Sequence, residues 1–576
     1  MRGKVSFTEK QKEVINKKGI FIVKAAPGSG KTFIVAARMA RLLREWKEKH
    51  RGIAVLSFTN VAWQEIEEYL RKKFGISTPI YYPHFLGTID SFLNRYLVIP
   101  FGNIVTESDK IVLVGPPHGE WNTRDFYKFF PNFTFDLRSN LIPLNPKIVP
   151  KNWRQQQMKR KLEKMKRDMW QKGYITQADA NYIALQVLGE HRKLGKYLTY
   201  RFPLIMIDEA QDTSEIQMAI IDLLIESGLQ EVMLIGDPEQ AIYEWRDARP
   251  EIFVEKMNKW ECIELNENWR SSQKICNFFM AISASKKIKA LNAEVKDFPV
   301  VPQIWEYKEE NISDVINKFL RLCKKFGIGI NVENIAILSR SNEFVNTKLM
   351  KKDKTKRRKG KRIEPWKNPK ILRLAESKYR FEQNQLKEAI EIIEKLLCEL
   401  ENKDNISPCS VYKLREIREN HGLTTLRKKI VCFLKSLPTT NKPVHIWTHE
   451  VNAIINEKSF FKNLRLELKQ RVNEDLKVND LFIDTNESYI QARNYYIGNI
   501  HSVKGKTFEA VLLFVKKGTT GNKKYEFILK QDIAKSEELR NIYVAITRPR
   551  KILVIAVPEG EKKVWKKVFE EPYNEK

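Results

Sequence analysis

The sequence predicts an α/β protein in which parallel strands alternate with helices, and three features of the chain support this fold class. Two short apolar runs, residues 204–207 and 232–235, each stop abruptly at acidic residues. A glycine-rich stretch follows the apolar run at 20–23 and precedes a helical segment. Similar apolar runs return late in the chain, at 335–338, 511–515 and 552–556. Short runs of this kind are typical of buried parallel strands, so we expect two sheets built from distant parts of the chain.

The composition favours a globular protein that binds a polyanion. Among the 576 residues, 102 are Lys or Arg and 71 are Asp or Glu, which gives a formal net charge of +31. A surplus of this size points most often to nucleic acid, although a generally basic proteome is the alternative explanation. No segment has the apolar length that a bilayer requires, and no signal-type apolar run follows Met1. We therefore expect a cytoplasmic protein that does not bind a membrane.

The cysteines do not form a metal-binding pattern. They are Cys262, Cys276, Cys323, Cys398, Cys409 and Cys432, and no two of them are spaced as C-x-x-C. Zinc and iron–sulfur sites are therefore not expected, and the thiols are interpreted as core residues in a reducing compartment.

The glycine-rich stretch at residues 25–32 reads Ala-Ala-Pro-Gly-Ser-Gly-Lys-Thr. Glycines allow backbone N–H groups to curl around phosphates, Lys31 adds positive charge, and Thr32 supplies a hydroxyl to Mg²⁺. The strict form of this pattern has Gly where Ala25 stands, and an ordinary glycine-rich turn is the alternative for the stretch in isolation. Its position between a strand and a helix predicts a nucleotide site. The residues of this site are Ala26, Pro27, Gly28, Ser29, Gly30, Lys31 and Thr32.

Two acidic residues, Asp208 and Glu209, follow the apolar run at 204–207. In open α/β sheets ligands bind at the carboxyl ends of the strands, where these two side chains are expected. Asp208 is a candidate ligand of Mg²⁺, a cation that prefers carboxylate and phosphate oxygens. Glu209 is a candidate to orient or deprotonate a water molecule for attack on phosphorus. The sequence therefore predicts hydrolysis of a nucleoside triphosphate at this edge of the sheet.

Aromatic residues follow the second acidic strand end. Tyr243, Trp245 and Arg246 lie a few residues after Asp237, and side chains of these types stack on the faces of unpaired bases. One stretch of chain would then contact both a triphosphate and a nucleic acid, which is the arrangement of a motor.

The α/β pattern stops between about residues 100 and 200. Residues 152–172 place Trp153, Met158, Leu162, Met165 and Met169 on one helical stripe, with Gly173 as the stop. The other face carries a set of basic side chains that is either only solvated or follows a nucleic-acid backbone. These are Lys159, Arg160, Lys161, Lys164, Lys166, Arg167 and Lys172.

A second α/β unit is predicted to start at Cys262 and to continue through the strand at 335–338. It breaks off afterwards and resumes near Tyr496. Within the interruption, residues 351–362 contain nine basic residues and one acidic residue, so we expect a loop that is too charged to pack. Beyond this loop, the apolar spacing over 386–400 predicts an amphipathic helix.

Short sequence blocks follow one another in a fixed order from Gln11 to Arg548. They include the glycine-rich stretch and residues 208–212, 236–246, 266–272, 499–510 and 537–550. As an ordered set they resemble the UvrD/PcrA/Rep-type DNA helicases of superfamily 1A. The resemblance implies two RecA-like parallel-sheet cores, each interrupted by a largely helical insertion. It places core 1A at 1–99 and 201–260, insertion 1B at 100–200, core 2A at 261–345 and 485–576, and insertion 2B at 346–484.

The resemblance implies that ATP and Mg²⁺ are the cofactors. Gln11 matches the position that recognises the adenine, Trp269 the aromatic that stacks on it, and Glu509 a contact to the ribose. The phosphate, metal and water roles given above for residues 31–32 and 208–209 agree with the family pattern.

Three further positions match residues that read the state of the nucleotide. Gln240 corresponds to the sensor of the γ-phosphate, while Arg270 and Arg548, from the second core, correspond to arginine fingers. A permanently charged bidentate guanidinium suits this role. Because the fingers come from the opposite core, hydrolysis would require the cleft to close, which couples ATP to the distance between the cores.

The resemblance also implies a set of contacts to single-stranded DNA. The matching residues are Phe58, Asn60, Tyr243, Trp245, Arg246, Arg340 and His501. A core aromatic is the alternative for Trp245, and a surface ion pair is the alternative for Arg340.

The chain departs from the family pattern at several points. Asp90 stands where many relatives carry His, and Phe33 follows the phosphate loop where Arg is common. The second insertion is shorter and more helical than in the best-known members, which bears on duplex engagement rather than on ATP hydrolysis.

Three functions are compatible with the sequence. The first is an ATP-dependent 3′→5′ single-strand DNA translocase and helicase that acts on single-stranded and partly duplex DNA. The alternative is an ATP-gated, DNA-sensing regulatory subunit of a nuclease complex in DNA repair or antiviral (phage) defence, with a partner nuclease. The third is an RNA helicase, because base stacking tolerates either polymer.

Overall fold

The structure is a computed structural model of the chain. It describes residues 6–114, 126–146, 148–242, 249–349, 365–383, 385–401, 422–457, 464–469, 473–482, 494–516 and 525–569.

The first sheet contains six parallel strands from two separate parts of the chain. They are β1 (Ile20–Ala25), β2 (Ile53–Ser57), β3 (Phe85–Thr88), β4 (Leu204–Asp208), β5 (Glu231–Gly236) and β6 (Glu261–Leu265). Their order across the sheet is β6-β1-β5-β4-β2-β3. Every residue of β2 and β4 is buried, as expected for a parallel sheet with helices on both faces. The carboxyl ends of the neighbouring strands β1, β5 and β4 therefore lie side by side.

Strand β6 corrects one expectation. The sequence placed Cys262 at the start of a second α/β unit, but β6 pairs in parallel with β1, with Cys262 opposite Ile22. That placement is wrong because a short apolar run encodes a strand and not the sheet in which the strand pairs. The connection between the two sheets therefore begins after Leu265.

Helices of eight or more residues occur throughout the described part of the chain. In chain order they are α1 (Glu9–Asn16), α2 (Lys31–Glu45), α3 (Asn60–Lys72), α4 (Gln156–Gln171), α5 (Gln177–Glu190), α6 (Arg192–Arg201), α7 (Glu215–Glu226), α8 (Pro250–Lys259), α9 (Gln273–Met280), α10 (Ile312–Lys325), α11 (Lys370–Glu382), α12 (Leu386–Glu401), α13 (Leu423–Ser436), α14 (Val444–Glu457), α15 (Glu537–Ile546) and α16 (Lys562–Phe569). Shorter helical segments are Ile89–Leu93, Asn94–Val98, Ile99–Phe101, Asn103–Thr106, Phe126–Asn132, Ala210–Asp212, Pro238–Gln240, Glu309–Asn311, Asn342–Phe344, Val345–Leu349, Asn479–Leu481, Ile500–Val503, Tyr525–Ile528 and Ile533–Lys535.

The second sheet has five parallel strands. They are β7 (Gln303–Tyr307), β8 (Ile335–Ser339), β9 (Tyr496–Asn499), β10 (Phe508–Phe514) and β11 (Pro549–Pro558). Their order is β7-β11-β10-β8-β9. Three further pairs of short strands join Glu267–Asn268 to Lys289–Ala290, Val112–Leu113 to Tyr174–Ile175, and Phe133–Phe135 to Leu141–Pro143. The α/β fold class with two parallel sheets is confirmed.

The first interruption of the α/β pattern contains α4, α5 and α6. In α4 the predicted apolar stripe faces inward, and Leu162, Met165 and Met169 are buried. The expectation that Lys166 belongs to the basic, solvent-facing side of this helix is wrong. Its side chain is fully buried, and its Nζ lies 2.6 Å from Oδ2 of Asp179. The charge of Lys166 is therefore compensated inside the protein, whereas Lys164 is exposed as expected.

The second interruption is mostly helical where it is described. Helices α11 to α14 surround a separate hydrophobic core that contains Trp366, Ile393, Ile430 and Trp447. The helix predicted over 386–400 is confirmed as α12. The basic stretch 351–362 lies outside the described residues. The division of the chain into two cores and two insertions remains a prediction, with the start of the second core moved past Leu265 by the pairing of β6 with β1.

Among the described residues, no helix combines the length and the apolar character needed to cross a bilayer.

Candidate active site between the two sheets

A cleft of about 700 Å³ opens between the carboxyl end of the first sheet and elements of the second. The first sheet contributes the phosphate loop, the amino end of α3 and residues after β4 and β5. Residues 504–507 and 548–550 line the opposite wall, together with the segment that links the sheets. The lining includes Gly28, Ser29, Gly30, Lys31, Thr32, Phe58, Glu209, Gln240, Trp269, Arg270, Lys504 and Arg548. The cleft therefore gathers predicted residues from parts of the chain more than five hundred positions apart.

The phosphate loop connects β1 to α2 and contains two glycines in the left-handed backbone conformation. Gly28 has φ of +73° and Gly30 has φ of +83°, conformations that side chains other than that of Gly rarely adopt. A Cβ at Gly28 would also lie 2.8 Å from Nδ2 of Asn268. Lys31 is the first residue of α2, so the loop's N–H groups, the positive end of the helix dipole and the ammonium group share one site.

One polar atom of the loop is available to a ligand. The Oγ of Ser29 is buried and has no hydrogen-bond partner among the described residues. Buried polar atoms are usually satisfied, so an orphaned hydroxyl in a phosphate-binding geometry fits a site built for an anion.

Asp208 and Glu209 lie at the end of β4, as predicted. Oγ1 of Thr32 donates to Oδ2 of Asp208 over 3.0 Å, and the backbone N–H of Glu209 donates to Oδ1 over 2.9 Å. Burial and the neighbouring Glu209 carboxylate raise the pKa of Asp208 to about 7. A cation beside Asp208 would favour its ionised form. Oxygens of Asp208 and Thr32 thus fit Mg²⁺, which usually takes one or two carboxylates together with substrate phosphates and waters.

Glu209 is held in an unusual backbone conformation. Its φ of 54° places this non-glycine residue in the left-handed region, which costs roughly 1–3 kcal/mol and occurs mostly at functional sites. Burial would raise the pKa of Glu209, but the ammonium groups of Lys31 and Lys504 and a hydrogen bond from Gln211 lower it to about 2. The carboxylate is therefore ionised and faces the cleft.

Gln211 fixes that carboxylate, and the sequence did not single it out. Its Nε2 donates to Oε2 of Glu209 over 2.5 Å, and its Oε1 accepts from the backbone N–H of Asp237 over 3.0 Å. Gly236 provides the space, since a Cβ there would lie 2.4 Å from Oε1 of Gln211. The position of Gln211 within the acidic block at 208–212 was the available signal.

Gln240 and Arg548 meet across the cleft. Nη2 of Arg548 donates to Oε1 of Gln240 over 2.6 Å, and Nε2 of Gln240 donates to Oδ2 of Asp237 over 2.6 Å. Nε of Arg548 donates to the carbonyl oxygen of Val544 in α15. Burial and the nearby Arg270 lower the pKa of Arg548 to about 9. A buried guanidinium from the second sheet is thus placed beside the residues that follow β5.

Arg270 lies on the segment that links the two sheets. Its Nη1 donates to the carbonyl oxygen of Thr547, and its backbone N–H donates to Oδ1 of Asn268. The Nδ2 of Asn268 donates in turn to the carbonyl oxygen of Pro27 over 2.7 Å. Asn268, which the sequence did not single out, therefore attaches the Arg270 segment to the phosphate loop. Its neighbour Trp269 lines the cleft, and the backbone N–H of Trp269 donates to the carbonyl oxygen of Gly28.

A buried ion pair joins the two sheets beside these residues. Nζ of Lys504 lies 2.5 Å from Oδ2 of Asp212 and donates to the carbonyl oxygen of Gln240 over 2.9 Å. Both side chains are almost completely buried. Lys504 belongs to the sequence block at 499–510, but nothing in that block indicates that its partner is Asp212.

The remaining predicted nucleotide contacts lie at the margin of the cleft. Gln11 is buried, and its amide donates to the carbonyl oxygen of Ser29 while accepting from the N–H of Thr8. Glu509 reaches the cleft through Arg550, whose Nη1 lies 3.1 Å from Oε1 of Glu509. Ala26 and Pro27 form the start of the phosphate loop, where the Ala26 N–H donates to the carbonyl oxygen of Leu265.

The predicted DNA contacts are placed in part. Phe58 lines the cleft, while Asn60 is the exposed first residue of α3. Arg340 follows β8 and forms an ion pair with Glu538 of α15. His501 follows β9, the neighbour of β8, so it and Arg340 lie at the same carboxyl edge of the second sheet. Tyr243, Trp245 and Arg246 lie outside the described residues.

Comparison with known proteins identifies related sequences. A family model described as the UvrD/REP helicase N-terminal domain matches residues 7–113 and 123–261. The chain is 25% identical to a probable DNA helicase II homolog of Mycoplasma pneumoniae over an alignment of 610 positions. This alignment covers 93% of this chain and 82% of that protein. It is 25% identical over 342 residues to the Gabija protein GajB of Bacillus cereus, covering 58% of this chain and 60% of GajB.

A further relative is the ATP-dependent DNA helicase PcrA of Staphylococcus aureus, 24% identical over 286 residues. The alignment covers 47% of this chain and 38% of PcrA, so the chain spans less than two thirds of both PcrA and GajB. These matches confirm the resemblance stated from the ordered sequence blocks.

Proposed function

Because the chain belongs to the UvrD-like DNA helicases of superfamily 1, enzymes that bind DNA and hydrolyse ATP, we propose that it is an ATP-dependent 3′→5′ single-strand DNA translocase and helicase. The observation that carries this proposal is the contact between Arg548 and Gln240 beside Lys31 and Glu209. Groups from both sheets converge there on one cleft, which is the requirement for coupling hydrolysis to movement of the sheets.

The phosphate loop binds and orients the triphosphate. Backbone N–H groups of residues 28–32 and the ammonium group of Lys31 line the cleft and would bind the β- and γ-phosphates, with the α2 dipole adding to the positive potential. Thr32 and Asp208 would hold Mg²⁺, which would neutralise charge on the phosphate oxygens when bound. Trp269, at the cleft wall, offers a face for the base.

Glu209 orients the attacking water. Its low pKa makes the ground-state carboxylate a weak base, so its main contribution is to orient the water by accepting its hydrogen bond. Gln211 keeps the carboxylate in place through the 2.5 Å hydrogen bond. Arg270 and Arg548 stabilise the negative charge that develops on the transferred phosphoryl group.

Loss of the γ-phosphate is transmitted through Gln240. Its amide contacts Asp237 on the first sheet and Arg548 on the second, so a change at the phosphate alters a contact between the sheets. Phe58, Asn60, Arg340 and His501, together with Tyr243, Trp245 and Arg246, grip the DNA strand in alternation as the cleft opens and closes. Each core carries part of this grip, which is what stepping along a strand requires.

DNA-stimulated ATP hydrolysis tests the enzyme directly. We expect single-stranded DNA to stimulate hydrolysis, and we expect Lys31→Ala and Glu209→Gln to abolish it. Strand displacement from duplexes with a single 3′ or 5′ overhang tests polarity, with unwinding expected only from the 3′ overhang. Competition between matched DNA and RNA oligonucleotides tests the polymer. Absence of DNA stimulation in the purified chain would contradict the proposal.

Similarity to the Gabija protein GajB supports a second candidate function. In this alternative the chain is an ATP-gated, DNA-sensing subunit of a complex with a nuclease. Co-purification of a nuclease with the tagged chain, together with DNA-stimulated hydrolysis but little unwinding by the isolated chain, would favour this alternative over the helicase.

A further inference from the structure

Four strongly exposed tyrosines lie on one surface of the first sheet. Among the Phe, Tyr and Trp side chains that the structure describes, five are more than half exposed, with exposed fractions of 57–71%. They are Tyr81, Tyr82, Tyr197, Tyr200 and Phe527. The four tyrosines come from two separate segments, before β3 and within α6. Because aromatic rings are normally buried, this concentration requires an explanation.

Contacts between three segments bring the tyrosines together. Nδ1 of His50 lies 3.0 Å from the hydroxyl of Tyr82, and the guanidinium of Arg201 lies 4.7 Å from the centre of the Tyr82 ring. The guanidinium of Arg51 lies 5.0 Å from the centre of the Tyr200 ring, and its Nε donates to the carbonyl oxygen of Tyr200. Residues 46–52, 78–84 and 192–202 therefore form one continuous surface, which we call the tyrosine patch.

The tyrosine patch lies on the far side of the sheet from the cleft. Its segments directly precede β2, β3 and β4, which start at Ile53, Phe85 and Leu204. These strands are parallel, so their amino ends share an edge opposite the one that carries Asp208. Strands of five residues separate the two edges by about 17 Å at roughly 3.3 Å per residue. A ligand of the patch would therefore not touch the nucleotide.

The tyrosine patch carries a net positive charge, and two of its cations are in ion pairs: Arg51 with Glu48, and Arg192 with Glu226 of α7. Its three segments contain seven Lys or Arg residues and a single acidic residue, Glu48. The basic residues are Lys47, Lys49, Arg51, Arg192, Lys193, Lys196 and Arg201. Exposed rings interleaved with cations are the combination that holds unpaired bases and the adjoining phosphates.

We propose that the tyrosine patch is a second binding site for single-stranded nucleic acid, separate from the proposed DNA contacts at Phe58, Asn60, Arg340 and His501. Bases stack on the exposed ring faces of Tyr197 and Tyr200, and phosphates meet the surrounding ammonium and guanidinium groups. An acidic polypeptide would match the positive charge of the patch, but its carboxylates would not stack on the four tyrosine rings. The site holds a strand segment behind the motor, so long strands gain affinity that short strands do not.

Binding of oligonucleotides of two lengths tests this site. Fluorescence anisotropy compares oligonucleotides of about 10 and about 40 nucleotides, since a single site covers roughly 4–16 nucleotides. We expect the Tyr197→Ser/Tyr200→Ser double variant to raise the Kd for the long strand about thirtyfold or more, because it removes two aromatic rings on which bases stack. The Kd for the short strand and the ATP hydrolysis that it stimulates are expected to change less than about twofold.

Two further variants distinguish base stacking from electrostatic binding and from nonspecific effects of removing an exposed ring. Lys49→Gln/Lys196→Gln is expected to reduce the dependence of long-strand affinity on salt by about 0.7 in logarithmic slope for each lost contact. Phe527→Ser, which removes an exposed aromatic ring from a segment of the second sheet, is the matched control and should leave both affinities unchanged. Photocrosslinking of a long strand containing 5-iodouracil should yield adducts on peptides covering 78–84 or 192–202.

Three results would overturn the proposal. They are an unchanged long-strand Kd in the tyrosine variant, an equal loss for both lengths, and crosslinks confined to other surfaces. If the variants instead lose binding to polyglutamate while long-strand binding persists, the patch takes an acidic polypeptide and the proposal is also wrong. Failure of the motor itself is distinguishable, because it would remove DNA-stimulated hydrolysis in the wild type without deciding where a long strand binds.

Discussion

The guanidinium of Arg548 donates to the amide oxygen of Gln240 over 2.6 Å, and both side chains are almost completely buried. Arg548 precedes the strand β11 of the second sheet, while Gln240 follows β5 of the first. The same amide contacts Asp237 through its nitrogen. Through these two contacts, a movement of Gln240 in the cleft would change the packing of both sheets.

Replacing Gln240 tests its part in that relay. In Gln240→Leu, Arg548 loses a buried acceptor and Asp237 loses a donor, so the fingers and the phosphate loop are no longer held in register. We expect kcat for DNA-stimulated hydrolysis to fall on the order of 10²-fold, as for loss of one positioned transition-state donor, with a much smaller change in KM. Steady-state kinetics measures both. A rise in KM with unchanged kcat would show that Gln240 only assists binding.

The left-handed glycines of the phosphate loop provide a second test. Gly28→Ala combines an unfavourable φ with a contact of 2.8 Å to Asn268, so the loop must shift. Gly19→Ala is the matched control, because Gly19 has φ of +84° but open space around its Cβ position. Both changes cost about 1–2 kcal/mol through the backbone. We expect only Gly28→Ala to weaken nucleotide binding, by about tenfold or more, in a titration with a fluorescent ATP analogue. Equal effects would contradict the steric explanation.

The dependence on Mg²⁺ tests the pair formed by Thr32 and Asp208. Thr32→Val removes the hydroxyl that donates to Oδ2 of Asp208, and Asp208→Asn removes the negative charge. Both variants should need more Mg²⁺ for half-maximal hydrolysis, and the wild type should lose hydrolysis when EDTA is added. Losing a ligand or its orienting partner typically costs about 10–100-fold in metal affinity. An unchanged Mg²⁺ titration in both variants would place the metal elsewhere.

The buried pair of Lys166 and Asp179 makes a prediction about stability. Lys166→Met leaves the Asp179 carboxylate buried without its partner, which should lower the free energy of unfolding by about 3–5 kcal/mol. Lys164→Met, on the exposed face of the same helix, should change it by less than about 0.5 kcal/mol. Urea denaturation measures both. The double variant Lys166→Met/Asp179→Leu should recover much of the loss, and failure to recover any would mean that packing rather than charge holds the site.

Much of this fold is encoded locally and could be predicted. The strands β1, β4, β5, β8 and β10 appear in the sequence as short apolar runs, and the phosphate loop appears as a glycine spacing between a strand and a helix. Such signals depend on residues a few positions apart. The candidate site could be predicted for the same reason, since each of its blocks ends a strand, and the ends of parallel strands meet at one edge.

The rest depends on pairings between distant residues. Nothing near Cys262 specifies that β6 joins β1 rather than a later strand. The burial of Lys166 depends on Asp179, thirteen residues away and on another helix, so a helical wheel of α4 alone assigns it to solvent. The contacts of Gln211, Asn268 and Lys504 likewise depend on partners that the sequence does not identify.

The central claim is that groups from both sheets act on one ATP, and hydrolysis by Arg548→Lys tests it most directly. Lysine keeps a positive charge but lacks the forked guanidinium that reaches Gln240. With binding of a fluorescent ATP analogue retained within a few-fold, we expect kcat for DNA-stimulated hydrolysis to fall by about 10³-fold, as for loss of an arginine finger. Hydrolysis at the wild-type rate by this variant would show that the second sheet takes no part in the chemistry and would contradict the account.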